Sequence, residues 1–235
     1  MDPLTKIYLE SKVDISSPDY WRQWLKRYKH TKNEDGTINI EGTVDLSYMT
    51  LKTLPFRFST VTGSFYCAYN ELTSLDGCPR TVGDDFWCSN NELISLEGGP
   101  KLVGGTYTCT CCHLKTLKGA SESVGGEFCC DTNPITTLEG GPKYVGNKYD
   151  CYGCYLETLK GAPEHVGGIF ECSSNYLSSL EYLPSEIGGD IHASYNPGNF
   201  TEEDIRRARE KAVNRKYIKT LSYDEEMPDV GDIFD

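Results

Sequence analysis

Two pairs of cysteines, Cys109-x-x-Cys112 and Cys151-x-x-Cys154, have the spacing of zinc ligands, and Cys111, Cys129 and Cys130 fall near them in the sequence. Such spacing holds zinc when a second, correctly placed pair completes a tetrahedral site. Cys112-His113 sets a thiol beside an imidazole, the two groups of a nucleophilic cysteine, but sequence adjacency does not put one side chain within reach of the other. The repeated Val-Gly-Gly lacks the strand-then-helix setting of a phosphate loop. A further set is suited to recognition: Tyr66 and Trp87, then Asp131, Asp150, Tyr152, Glu171 and His192, with Glu127 and Asp190 extending the carboxylates. Exposed Trp and Tyr beside charges are the residue types of protein-binding hot spots.

What positions these residues is a repeat of 21 residues. Units beginning at Thr43, Ser64, Asp85, Thr106, Glu127, Lys148, Ile169 and Asp190 align without an insertion, giving seven full units and a partial eighth. The second position is Val44, Phe65, Phe86, Tyr107, Phe128, Tyr149, Phe170 or Ile191. The fourth is Leu46, Cys67, Cys88, Cys109, Cys130, Cys151, Cys172 or Ala193. The seventh is Asn70, Asn91, Asn133, Asn175 or Asn196, with Cys112, Cys154 and Met49 in the remaining units; the ninth and twelfth are Leu or Ile in every full unit. Alternation at the first five positions predicts a short strand with even positions inward and odd positions in solvent. Asn at the seventh position has an amide suited to satisfying backbone groups where the chain leaves that strand. The cysteine pairs are therefore repeat positions four and seven, filled by thiols that pack as small hydrophobes.

The second half of each unit, as in Leu96 to Gly105, reads as a loop return in which Gly and Pro oppose a long helix. Val82, Val103, Val124, Val145, Val166 and Ile187 each supply one inward anchor there. With strands about 4.8 Å apart, eight units predict a curved ladder roughly 40 Å wide. Its concave face carries Tyr66, Trp87, Thr108, Cys129, Asp150, Glu171 and His192 in one column, flanked by Asp131 and Tyr152.

The pattern [F/Y]-x-C-x-x-[N/C]-x-L-x-x-L is a leucine-rich-repeat signature. The expected fold is a leucine-rich-repeat solenoid: a parallel β ladder with a loop-rich convex side and helical caps at both ends, since a solenoid exposes its core at its ends. Residues 1–42 are expected to form an N-terminal helical cap and hairpin, 43–200 the repeats, 201–220 a C-terminal cap helix and 221–235 an acidic tail. Ser17-Pro18 starts the first helix, whose aromatic face is Tyr20, Trp24 and Tyr28. Ile38 to Leu46 reads as a hairpin turning at Glu41-Gly42. Thr201-Glu202-Glu203-Asp204 resembles a capping box, with basic residues from Arg206 to Lys219 toward the favourable end of the dipole.

The phrases Val44-Asp45-Leu46-Ser47, Leu54-Pro55-Phe56-Arg57-Phe58, Phe86-Trp87-Cys88-Ser89-Asn90-Asn91-Glu92-Leu93 and Ser95-Leu96-Glu97-Gly98-Gly99-Pro100 resemble cysteine-containing leucine-rich-repeat proteins of large tailed bacteriophages and some other large DNA viruses, over about residues 38 to 200. The resemblance implies the fold and a viral origin, and no activity.

Charge narrows the function. Of 235 residues, 35 are acidic and 23 basic, for a net charge of −12, which opposes direct nucleic-acid binding because phosphates demand clustered cations. No segment approaches the roughly 18 apolar residues of a membrane span. Eleven cysteines, an odd number, and a start without an apolar signal core point to a reduced, cytoplasmic protein. The reading is a viral accessory module, not an enzyme and without cofactor or metal, that binds and inhibits or redirects a host protein with a basic surface through its concave face. Two alternatives stand beside it: an acidic nucleic-acid mimic that blocks a DNA-binding enzyme, and a structural or assembly component of a virion.

Overall fold

The computed structural model describes residues 14–224, with side chains as far as 215. Helix α1 (Pro18–Leu25) is followed by strands β1 (Lys29–Lys32), β2 (Ile38–Glu41), β3 (Val44–Asp45), β4 (Phe58–Val61) and β5 (Phe65–Tyr66). Two-residue strands then alternate between two sheets from β6 (Thr81–Val82) to β16 (Glu186–Ile187) and β17 (Ile191–His192), before α2 (Glu202–Asp224). The fold is a parallel β-solenoid of about seven 21-residue turns. Odd-numbered strands from β3 to β17 build an eight-stranded front sheet; β1 and the even-numbered strands build a nine-stranded back sheet.

The front sheet follows the sequence pattern. Position two pairs with position two and three with three along its whole length, as in Phe65 with Phe86 and Tyr66 with Trp87. Strand geometry covers only these two positions, yet the hydrogen-bond ladder runs on: Phe65, Cys67 and Tyr69 N–H donate to Asp85, Trp87 and Ser89 carbonyls at 2.8, 2.8 and 2.9 Å. The rings at position two form a buried column with centroids 4.9 to 6.0 Å apart from Phe65 to Phe170. The fourth-position cysteines Cys67, Cys88, Cys109, Cys130, Cys151 and Cys172 stack beside them, fully buried.

Where each front strand ends, the sixth residue adopts a left-handed conformation: Tyr48, Tyr69, Asn90, Cys111, Thr132, Gly153, Ser174 and Tyr195 have φ between 53° and 59°. In a residue with a Cβ this costs about 1–2 kcal/mol. The turn it makes aims the seventh residue inward, and that residue offsets the cost. Asn91 Nδ2 donates to Cys67 O in the preceding turn at 3.0 Å and to Cys88 O in its own at 2.9 Å, while its Oδ1 accepts from Leu72 N–H at 3.0 Å. Asn133 and Asn175 repeat the arrangement. Cys112 and Cys154 keep the backward contact, to Cys88 O at 3.2 Å and Cys130 O at 3.4 Å, and Cys112 Sγ also lies 3.3 Å from Thr110 O in its own turn; a thiol has no counterpart to the amide oxygen.

The second half of the unit corrects the expectation of a loop return. Val82, Val103, Val124, Val145, Val166 and Ile187 lie in two-residue strands that pair in parallel to form the back sheet. The glycine after each of them makes this possible. A Cβ at Gly104 would overlap the carbonyl oxygen of Gly83, and the same holds at Gly125, Gly146, Gly167 and Gly188 against the glycine one turn earlier. Between the sheets, a Ser or Thr at position eleven accepts from the N–H two residues on, as Thr116 does from Lys118 at 3.2 Å.

Two turns depart together. Tyr107 and Tyr149 replace Phe, and their fully buried hydroxyls have no hydrogen-bond partner among the described residues. Gly99 and Gly141 in the preceding turns leave room for them: a Cβ there would come within 3.1 and 3.3 Å of the respective hydroxyls. Where the following turn carries Phe128 or Phe170, that position holds Ala120 or Ala162. Cys112 and Cys154 occur in the same two turns, so the core alternates with a period of 42 residues. The convex surface alternates too, with Lys118–Glu97 at 2.8 Å and Lys160–Glu139 at 2.9 Å.

At the N-terminal end Ser17 Oγ accepts from Asp19 N–H at 3.3 Å and starts α1. Trp24 is buried on Phe56 at 5.9 Å, with Tyr20, Trp21 and Tyr28 partly buried around it. The expected hairpin at Glu41-Gly42 is displaced. β2 and β3 enter different sheets, and the antiparallel hairpin is β1–β2, turning through Glu34-Asp35-Gly36 with Asp35 Oδ1 accepting from Thr37 N–H at 3.0 Å. At the other end Thr201 and Asp204 bond reciprocally at the start of α2, with Thr201 Oγ1 accepting from Asp204 N–H at 3.2 Å and Asp204 Oδ2 from Thr201 N–H at 3.0 Å. Ile205, Ala208 and Ala212 face the core. α2 runs past the anticipated end at 220, and the acidic stretch 225–235 lies outside the described residues.

Gly125→Ala is expected to abolish or severely weaken folding, whereas Gly153→Asn, with nothing within 4 Å of the added Cβ, should cost only the left-handed backbone, about 1 kcal/mol. Asn91→Ala should cost about 2 kcal/mol or more by leaving buried backbone groups unpaired, and more than Asn91→Cys. Chemical denaturation of the four variants checks both orders.

Candidate functional site

The outer face of the front sheet gathers the residues anticipated for recognition. Asp45, Tyr66, Trp87, Thr108, Cys129, Asp150, Glu171 and His192 pair one to the next as a single column. Asp131 and Tyr152 lie two residues further along their strands, on the same face. Tyr66 and Trp87 touch, with ring centroids 5.0 Å apart, and Trp87 remains 45% exposed. Tyr48 and Tyr69, at the left-handed turns beside this end, stack at 4.4 Å and 9°. Sequence alternation missed that second aromatic pair because position six belongs to the turn. Its only signal is a large residue immediately before the inward Asn or its substitute.

The carboxylates are not equivalent. Asp150 Oδ2 lies 2.5 Å from Lys148 Nζ, and its Oδ1 accepts from Tyr152 N–H at 3.0 Å. Glu171 Oε1 accepts from Ser173 N–H at 2.8 Å, and its Oε2 lies 2.9 Å from His192 Nδ1. Asp131 Oδ2 accepts from the Thr132 hydroxyl at 3.2 Å and has no cation in an ion pair with it among the described residues. Burial, reinforced by the nearby Asp150 charge, raises Asp131 above the ordinary carboxylate range. Burial disfavours the charged form of Lys148, but its hydrogen bond to Asp150 and the charges of Asp150, Cys129 and Glu171 together outweigh this and raise its pKa. Cys129, at the centre of the column, is pushed up to about 12 by burial and then by Asp150, Glu127 and Asp131.

The remaining chemical candidates separate. Cys112 is buried and donates to Cys88 O, while His113 is exposed with Nδ1 3.6 Å from Glu92. Cys109 donates to Cys129 O at 3.4 Å and Cys151 to Glu171 O at 3.1 Å, so each thiol is spent on the next turn's backbone. Among the described residues no group of three or more His, Cys, Asp or Glu is placed to hold a metal ion, and no helix is long and apolar enough to cross a membrane. The back sheet carries a smaller set not anticipated from sequence: Tyr144 stacks on His165 at 4.5 Å, and His165 Nδ1 lies 2.7 Å from Glu186.

Two predictions follow from the charges. Because the folded state raises the Asp131 pKa, its ionised form is destabilising above that pKa, and the penalty vanishes as pH falls below the unfolded value of about 3.9. Asp131→Asn should therefore raise the melting temperature at pH 7, with the gain disappearing below about pH 4; an equal gain at both pH values would refute this origin. In native alkylation at pH 8 followed by mass spectrometry, exposed Cys111 should react first. Partly exposed Cys129, its thiol pushed up to about 12, should stay slow because its thiolate fraction is on the order of 10⁻⁴, and equal rates would contradict this protection by burial and neighbouring charge.

Comparison of the chain with protein-family models finds no match, and comparison with curated proteins and with solved structures likewise finds none.

Proposed function

We propose that the chain is a leucine-rich-repeat module closed by α1 and α2 as caps, of the cysteine-containing viral kind its repeat phrases resemble, and that it works by binding a host protein through the outer face of the front sheet. The observation that carries this reading is the Tyr66–Trp87 pair, with Trp87 exposed and Tyr66 half-buried against it, in register with carboxylates about 14 Å away, three strands further along. A large, rigid aromatic anchor beside oriented charge is how protein surfaces combine affinity with steering. The excess of acid on that face and over the chain selects a partner with a basic surface. Eleven unpaired cysteines fit a reducing compartment such as the host cytoplasm. Binding is favoured over catalysis because, among the described residues, the buried thiols of Cys88, Cys109, Cys112, Cys130, Cys151, Cys154 and Cys172 are engaged by backbone carbonyls.

A nucleic-acid mimic is the weaker reading. Phosphates are uniformly charged and evenly spaced, whereas here Lys148 sits against Asp150 and His192 against Glu171, which breaks the row into unequal charges.

With partner captured from host cells and purified, Trp87→Ala and Tyr66→Ala should each weaken binding by about 2 kcal/mol or more, roughly 30-fold, without loss of folding. Asp131→Asn should chiefly slow association and reduce its salt dependence. A partner that binds all three variants as tightly as the unmodified chain would remove the front face from the interface.

A further inference from the structure

The charge of the molecule is unevenly placed: a strongly acidic chain carries its densest cations on α2, with Arg206, Arg207, Arg209, Lys211 and Arg215 within ten residues. Between α2 and the last complete turn runs a groove of about 890 Å³ whose floor is Leu180, Phe200 and Ala208 and whose wall is Arg207, Lys211 and Arg215. Arg207 is engaged by Glu203 at 2.8 Å. Lys211 and Arg215 have no carboxylate partner among the described residues; Arg215 donates to Leu183 O at 3.3 Å and lies over the Tyr182 ring. Of the acids on the groove, Asp204 is taken up by the start of the helix through Thr201, leaving Glu181 at the rim. An apolar floor with unpaired cations along one wall fits an extended peptide that alternates carboxylates with apolar side chains.

We propose that residues 225–235 of the same chain, Glu225-Glu226-Met227-Pro228-Asp229-Val230-Gly231-Asp232-Ile233-Phe234-Asp235, fold back along α2 and dock in this groove. The segment has five side-chain carboxylates, no cation, and apolar residues at Met227, Val230, Ile233 and Phe234. Pro228 is incompatible with an uninterrupted helix. The reach suffices: Lys211 lies about 20 Å back along the helix from Asp224 at 1.5 Å per residue, and eleven extended residues span about 36 Å. The other segment outside the described residues, 1–13, does not fit. Its Asp2 and Glu10 are balanced by Lys6 and Lys12, and it joins the chain at α1, which packs on Phe56 in the first turn. Docking in cis neutralises the exposed cations of α2 and covers the apolar surface left at the last turn.

Zero-length carbodiimide coupling of the full chain, read by mass spectrometry, tests this. Lys211 should couple to a carboxylate within 225–235, with a yield that falls several-fold in 0.5 M salt, about the range in which screening shortens to a few ångströms. An equal mixture of unlabelled and ¹⁵N-labelled protein should give products within one isotope class. Arg215→Glu should lower the yield by weakening the cationic wall, and the pair Ile233→Ser with Phe234→Ser should lower it by removing the contacts with the floor. Coupling of Lys211 only to Glu181 or Asp204, products that mix the isotopes, or a yield indifferent to the Ile233 and Phe234 changes would each overturn docking in cis.

Discussion

Gly83, Gly104, Gly125, Gly146, Gly167 and Gly188 sit where one turn of chain lies directly on the turn before it, and from Gly104 onward the contact is glycine on glycine, too close for any side chain. Once backbone rests on backbone at that column, the separation of turns is fixed along the back sheet, and the front sheet has to match it. A unit with one residue more or fewer would carry the glycine away from its seat, which accounts for 21-residue units without a single insertion. The asparagine ladder depends on the same spacing, because each amide has to reach the preceding turn and its own at about 3.0 Å simultaneously. The aromatic column and the thiol column then fill whatever volume the two ladders enclose.

Charge on the front face follows from this regularity. In a parallel ladder every position meets its own equivalent, so like charges at one position are brought to strand spacing, and neighbours destabilise one another unless relieved. The chain relieves two of its carboxylates locally: Asp150 with Lys148 from its own strand and Glu171 with His192 from the next. Asp131 and Cys129 move toward their neutral forms chiefly because they are partly buried, and the resulting negative field adds to this. The face therefore presents an aromatic end at Tyr66 and Trp87, bordered by Asp45, and an acidic end whose charge depends on what approaches it.

The sequence made the front sheet legible because its signal is burial, and burial repeats at fixed positions: Phe or Tyr at the second, Cys at the fourth, Asn at the seventh. The outward column from Tyr66 to His192 was readable by the same alternation. The back sheet was not, since two-residue strands at Val82 or Val103 offer one apolar residue each beside glycines that ordinarily mark turns. Their meaning lies in contact with the previous turn, 21 residues away, which no local pattern expresses. The N-terminal hairpin was misplaced for a related reason: Ile38 to Leu46 alternates correctly, but Gly42 sends its two halves into different sheets. The stacked Tyr48 and Tyr69 leave no trace in the strand alternation because their left-handed backbone breaks it.

The pairing of Gly99 with Tyr107 and of Gly141 with Tyr149 bears on how such a chain changes length. Removing the single turn 127–147 would set Ala120 beneath Tyr149, pressing a methyl group toward a hydroxyl that has no other room. Removing 127–168 would set Ala120 beneath Phe170, a contact of the kind already present at Phe128. The heritable module of this solenoid is thus a couplet of turns, and duplication or loss in steps of two leaves every buried ring with the neighbour it was shaped against.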